Sequence, residues 1–204
     1  MEGQYCRLEP LDPDRHAVPL FEADQLAPTA ADWTYLPYGP FPTLADYLTW
    51  MRATSLGSDP LFFAIIELTT NRPVGLAAYL RITPAAGTIE IGHLHYSPLL
   101  QRTRAATEAM YLMMRLAFDL GYRRYEWKCD ALNAPSRAAA ERLGFKYEGT
   151  FRQVAVYKGR NRDTAWFSMI DTEWPTIRVA MEKWLSADNF DSTGNQRTRL
   201  QDFR

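Results

Sequence analysis

The chain predicts a mixed α/β fold, a mostly antiparallel central sheet flanked by helices, in a single domain over residues 1–185 with a polar tail over 186–204. Three observations support this. With 204 residues, 47% of them hydrophobic and 13% aromatic, the chain can bury one sizeable core and is short for two. Runs with period-two and helical apolar patterns follow one another in the order β-α-α-β-β-β-α-β-α-β-β, with a helix at the end. The strand-like run 88–96 also passes through a short polar loop into a long amphipathic helix over 103–119.

The first strand is expected at 5–8, and the Glu-Pro-Leu-Asp-Pro-Asp run after it as a turn with helix-starting character. Residues 16–27 read as a helix through Val18, Leu20, Phe21 and Leu26. A loop dense in rings and prolines fills 32–42, and Thr43 caps a helix to about residue 55 with Leu44, Tyr47, Leu48 and Met51 at helical spacing. Residues 61–68 and 74–82 are β-rich runs on either side of turn residues, and 84–87 turns the chain into the strand 88–96. The long helix places Ala106, Met110, Met113 and Ala117 on one face, and Gly121 ends it. A strand over 122–129 follows, then a short helix over 133–143 closed by Gly144. Strands over 149–157 and 164–170 flank a polar turn at 158–163, and Pro175 opens a last helix to 185. The tail is unpatterned and expected to fray or to reach a second subunit of a homodimer.

Composition excludes several classes of partner. A net charge of −1 argues against a nucleic-acid binder, and no apolar run approaches 18 residues, so no membrane span is expected. The N-terminus lacks a charged-then-apolar secretory pattern, and the two isolated cysteines, Cys6 and Cys129, suit a reducing compartment. A cytoplasmic location follows as the expectation. Three histidines (His16, His93 and His95) are too few and too poorly placed to predict a metal site, although His93 and His95 alternate on a strand and could chelate.

The loop at 97–103 carries the chemistry. A strand that stops there and restarts as a helix leaves backbone N–H groups at the positive end of the helix dipole, which suits a phosphate. Arg102 and Arg104 add positive charge. The plain alternative is a strand–helix connection with two solvated arginines.

Together these segments resemble the GNAT superfamily of acyl-CoA-dependent N-acetyltransferases, in its RimJ/RimL-like branch, over residues 5–175. The resemblance rests on Arg-Leu-Glu-Pro-Leu-Asp at the first strand, Glu-Ile-Gly at 90–92, Gln101 to Ala106, Asn133 to Ser136, the run at 142–145 and Arg-Asp-Thr at 162–164. It implies a sheet splayed between the strands at 88–96 and 122–129, and acetyl-CoA as co-substrate. It further implies that Gln101, Arg102, Thr103, Arg104, Ala105, Ala106 and Thr107 hold the coenzyme pyrophosphate. Leu94, His95, Tyr96 and Asn133 would lie along the pantetheine arm, and Ser136 near the sulfur as its proton donor. Arg104 stands where the family pattern has glycine. A helical φ there avoids the cost of a left-handed residue, and its guanidinium is then expected to reach a phosphate.

The implied activity is transfer of an acetyl group to a primary amine by direct attack. The acceptor is a small molecule, a peptide or a protein N-terminus. Glu90 is the first candidate base, since a partly buried carboxylate can be tuned toward neutrality. On strand parity Glu90, Gly92, Leu94 and Tyr96 share one face, unless a bulge near Gly92 exchanges them with His93 and His95. Glu90 can equally be a strand charge paired with an arginine. Trp33, Tyr35, Tyr38, Phe41 and His93 are the acceptor-side candidates, against the plainer reading of rings packed onto the domain. A covalent route through Cys129 is disfavoured by its apolar strand. The alternative to an enzyme is a non-catalytic acyl-CoA-binding or sensing domain.

Overall fold

Seven strands and five α-helices form among residues 1–55 and 57–204, the part of the chain that the computed structural model describes. They fall into two units, residues 1–83 with 89–113 and residues 84–88 with 114–204. The fold class is the expected one, α/β with mostly antiparallel strands and flanking helices.

In the first unit β1 (Cys6–Pro10), β2 (Leu61–Glu67), β3 (Arg72–Thr83) and β4 (Thr88–Tyr96) lie in chain order, with β1/β2 and β2/β3 antiparallel. Alternate residues of β2 and β3 (Phe62, Ala64, Ile66; Leu76, Ala78) meet Ala17 and Leu20 of α1 (Pro13–Asp24) and Tyr47 and Met51 of α2 (Leu44–Ser55). Helix α1 starts three residues earlier than the apolar pattern suggests. The Asp12 carboxylate accepts the Asp14 N–H at 3.0 Å, and Pro13 occupies a first-turn position where no N–H is needed. Helix α3 (Arg104–Asp119) follows β4, and its Glu108 carboxylate accepts the N–H groups of Gln4, Tyr5 and Cys6 at 2.7, 2.6 and 2.8 Å. This fixes the entry to β1.

The second unit holds β5 (Arg124–Asp130), α4 (Ala134–Leu143), β6 (Lys146–Tyr157), β7 (Arg160–Ile170) and α5 (Trp174–Leu185), with antiparallel order β5-β7-β6. The polar turn expected at 158–163 is only Lys158-Gly159, because both residues take positive φ (48° and 70°), as a two-residue hairpin turn requires. The tail does not fray. Phe190 and Leu200 are buried, and the Asn189 side chain bonds the Trp184 and Thr198 carbonyls and the Thr198 N–H at 3.0–3.1 Å. Arg204 donates to the carbonyls of Glu141 and Arg142 at the end of α4. Side-chain bonding to backbone groups supplies the order that apolar patterning could not show.

Candidate functional site

A bulge in β4 decides which side chains share a face. His93 takes φ +51°, and the alternation breaks there. Before it, the Cβ direction of Gly92 points to Leu80 and to the Glu90 carboxylate. After it, His93 lies against Phe62 (ring centroids 4.9 Å) and His95 stacks on Trp33 (3.7 Å). Glu90, His93 and His95 therefore serve one face, while Tyr96 turns to the other, beside Gly75 and Leu100. Glu90 is buried and accepts from Arg81 at 2.7 Å. Arg81 is itself at φ +47°, with its N–H and that of Ile82 held by Asp59 at 2.8 and 3.0 Å. The arginine-paired geometry is thus what Glu90 adopts, and an incoming base role requires the arginine to give way.

The ring-rich loop packs inward. Trp33 is buried, with Phe41 edge-on at 5.4 Å and Tyr38 at 6.3 Å. Tyr38 lies 4.3 Å from Trp50, and Phe41 lies 5.1 Å from Tyr47. The Tyr38 hydroxyl is 3.0 Å from His93 Nδ1. Tyr35 is half-buried on the same loop. Gly39 takes φ +62° with its missing Cβ directed at the Trp33 ring, so only glycine lets the loop close there. Burial, assisted by Arg81, lowers His93 to about 4, and burial alone lowers His95 to about 4. Both imidazoles are neutral near pH 7.

The sequence reading missed Asp24, the last residue of α1. Its side chain is 6% exposed, with Oδ1 3.5 Å from His95 Nδ1. Burial, then the charge of Asp32, raises it from 3.8 to about 7, with the Tyr47 hydroxyl pulling the other way. The signal was present in the spacing: Ala17, Leu20 and Asp24 recur at helical intervals, so Asp24 continues the buried stripe.

The loop into α3 is tightly tied. Ser97 Oγ donates to the Val74 carbonyl at 2.6 Å, and the Ser97 carbonyl accepts from Leu100 and Gln101. Thr103 Oγ1 accepts the Ala106 N–H at 3.1 Å and donates to the Leu100 carbonyl at 2.7 Å, capping the helix. Gln101 Nε2 bridges the Tyr96 carbonyl (2.8 Å) and Asp32 (3.1 Å), joining this loop to the ring-rich one. The positive φ falls on exposed Arg102 (61°), and Arg104 begins the helix. The Arg104 guanidinium lies over the Tyr5 ring at 5.1 Å and donates to the Tyr5 hydroxyl at 3.3 Å. Ala105 and Thr107 are buried, so they offer a ligand backbone rather than side chain.

Asn133 and Ser136 belong to the second unit. The Asn133 side chain accepts the Ser136 N–H at 3.1 Å, the helix cap expected from Asn-Ala-Pro-Ser. Ser136 Oγ accepts from the Trp127 indole at 3.0 Å, which leaves its own hydroxyl proton to donate. Burial pushes the neighbouring Cys129 thiol up, against an opposing pull from Ser136, so it is not a ready nucleophile. Among the described residues no group of three or more His, Cys, Asp or Glu is arranged to hold a metal ion, and no helix is long and apolar enough to cross a membrane.

The family profile described as "Acetyltransferase (GNAT) domain" matches residues 6–146. The chain is 50% identical to a GCN5-related N-acetyltransferase from Brucella melitensis, with a TM-score of 0.97, over 99% of this chain and 92% of that one. It is 46% identical to a probable GNAT-family acetyltransferase from Chromobacterium violaceum, with a TM-score of 0.80, over 85% and 87% of the two chains. The microcin C7 self-immunity acetyltransferase MccE, solved with acetyl-CoA and AMP, shares the fold at 19% identity, with a TM-score of 0.68 over 82% and 93% of the chains. No curated protein gives a significant sequence match. The chain belongs to the GNAT acetyltransferase family.

Proposed function

We propose that this protein is an acetyl-CoA-dependent N-acetyltransferase that acetylates a primary amine by direct attack of the amine on the thioester. The observation that carries the reading is the tied loop 97–103, which presents the start of a long helix beside exposed Arg102. Family membership supports it, as does the acetyl-CoA bound in the MccE structure. The loop fits a diphosphate. Its helix start is capped by Thr103, and the dipole favours an anion there. In this reading Gln101 to Thr107 hold the pyrophosphate, chiefly by backbone. Leu94, His95, Tyr96 and Asn133 lie along the pantetheine, His95 and Tyr96 through their main chain. The RimJ/RimL-like branch and a cytoplasmic location belong to the same proposal.

Two protons must be managed: one leaves the acceptor ammonium, and one reaches the departing thiolate. Ser136 is assigned the second, because it accepts from Trp127 and can still donate. Glu90 is retained as the group governing the first, acting with Arg81 rather than as an isolated carboxylate. Trp33, Tyr35, Tyr38, Phe41 and His93 are assigned to the acceptor side.

Calorimetric titration with acetyl-CoA, followed by thiol release with an amine panel, tests the reading. Saturable binding and amine-dependent thiol release are expected. No binding by folded protein refutes it, and binding without release from any amine points to a sensing domain instead.

A further inference from the structure

Among the described residues, the buried acids Glu90, Glu108 and Asp130 are met by a cation or by two or more hydrogen-bond donors, whereas Asp24 has only the Tyr47 hydroxyl and the His95 imidazole beside it. Glu90 has Arg81 at 2.7 Å. Glu108 takes three backbone N–H groups. Asp130 accepts from the Tyr157 hydroxyl at 2.8 Å and the Leu132 N–H at 2.9 Å. The Asp24 side chain is 6% exposed, yet it has neither a cation nor a backbone donor among the described residues. Its Oδ1 and the buried Tyr47 hydroxyl make no hydrogen bond of ordinary geometry, although the hydroxyl is near enough to pull the Asp24 carboxyl down. The nearest imidazole, His95 at 3.5 Å, is neutral at pH 7 and supplies no charge. The one further charge acting on Asp24 is another acid, exposed Asp32. Left ionised, such a carboxylate costs several kcal/mol, so it keeps its proton up to about 7 unless a cation completes the arrangement.

What surrounds Asp24 indicates the missing partner. Trp33 and His95 stack at 3.7 Å, and Tyr47 joins Phe41 and Trp50 at 5.1 and 5.7 Å. Ring faces of this kind carry negative potential and attract cations. Three acceptors converge: the Asp24 carboxylate, the Tyr47 hydroxyl oxygen and His95 Nδ1 in its Nε2–H tautomer. A primary ammonium has three N–H donors, and a quaternary one has none. Asp32 at the surface adds a second negative charge on the same loop as Trp33 and is tied to the α3 loop through Gln101.

We infer that Asp24 anchors a subsite for a primary organic ammonium, received between Tyr47, His95 and the Trp33 ring, and that this subsite selects the acceptor as a cationic primary amine. The role of the cation as acceptor rests on the acetyltransferase reading; the cation site itself does not.

The test is calorimetry on the full chain, with and without coenzyme A, using phenethylammonium, its N,N,N-trimethyl counterpart and neutral 2-phenylethanol. The wild type is expected to bind phenethylammonium at least about tenfold more tightly than the alcohol, and at least about fivefold more tightly than the trimethyl form. Asp24→Asn should bring the ammonium-to-alcohol ratio below about twofold while coenzyme affinity stays within about twofold. Asp24→Ser serves if the asparagine variant does not fold. Charge preference that survives in the variant, equal binding of ammonium and alcohol by the wild type, or binding of no ammonium overturns the inference. Loss of coenzyme binding in the wild type would sink the acetyltransferase reading and leave the ammonium result to stand by itself.

Discussion

Replacing Asp24 by asparagine should change how stability depends on pH. The folded carboxyl holds its proton up to about 7, against an ordinary value of 3.8. Between those values the folded state binds more protons at this site than the unfolded state. Its contribution therefore falls as pH rises from about 4 to about 7 and is constant above. A span of roughly three pH units at about 1.4 kcal/mol each gives about 4 kcal/mol as the upper bound, and at 6% exposure little is lost to solvent screening. Buried His16 and His95 and partly buried His93, all lowered chiefly by burial, act in the opposite sense over an overlapping window, because their neutral forms favour the fold as pH rises. They are present in both proteins, so the wild-type-minus-variant difference removes most of their effect. Urea unfolding of the two proteins at pH 5 and pH 8, followed by fluorescence and circular dichroism, measures it. Only the two pH units between 5 and about 7 contribute in this window, so the variant should gain about 2–3 kcal/mol relative to wild type between the two pH values. Parallel behaviour within about 0.5 kcal/mol would mean that Asp24 is not confined as described.

Other residues give sharper single outcomes. Glu108→Ala leaves the N–H groups of Gln4, Tyr5 and Cys6 without their acceptor and should cost about 3 kcal/mol or more in urea unfolding; a loss under about 1 kcal/mol would contradict the anchoring role. Arg102→Glu should weaken acetyl-CoA binding about tenfold and exceed the effect of Arg104→Glu, since Arg104 is engaged with Tyr5; the reverse order in calorimetry would show that the phosphates meet Arg104. Ser136→Ala should lower kcat about tenfold or more with acetyl-CoA affinity little changed, and an unaltered kcat removes the hydroxyl from the mechanism.

Local chemistry made much of this chain readable. Strand β4 spans 88–96 as its apolar run indicates, and Asn133 caps α4, which ends at Gly144 with φ 104°. Thr103 bonds the first turn of α3, and Arg104 enters the helix without a left-handed φ. These features depend on neighbours within a few residues, so propensity, capping and turn rules reach them. The bulge at His93 does not. Nothing in the local residue pattern demands a left-handed φ at His93, and the break moves two histidines to the face of Glu90. The turn of Arg81 toward Glu90, the seat of Arg104 on Tyr5 and the docking of the tail by Asn189 likewise join segments distant in sequence. Asp24 shows the division most clearly. Helical spacing offered a place for it on a buried stripe that the sequence reading missed, but only packing against Tyr47 and His95 encloses its carboxyl without a counter-ion. Electrostatic environment is a property of what surrounds a group in space, and the order of residues along the chain does not specify it.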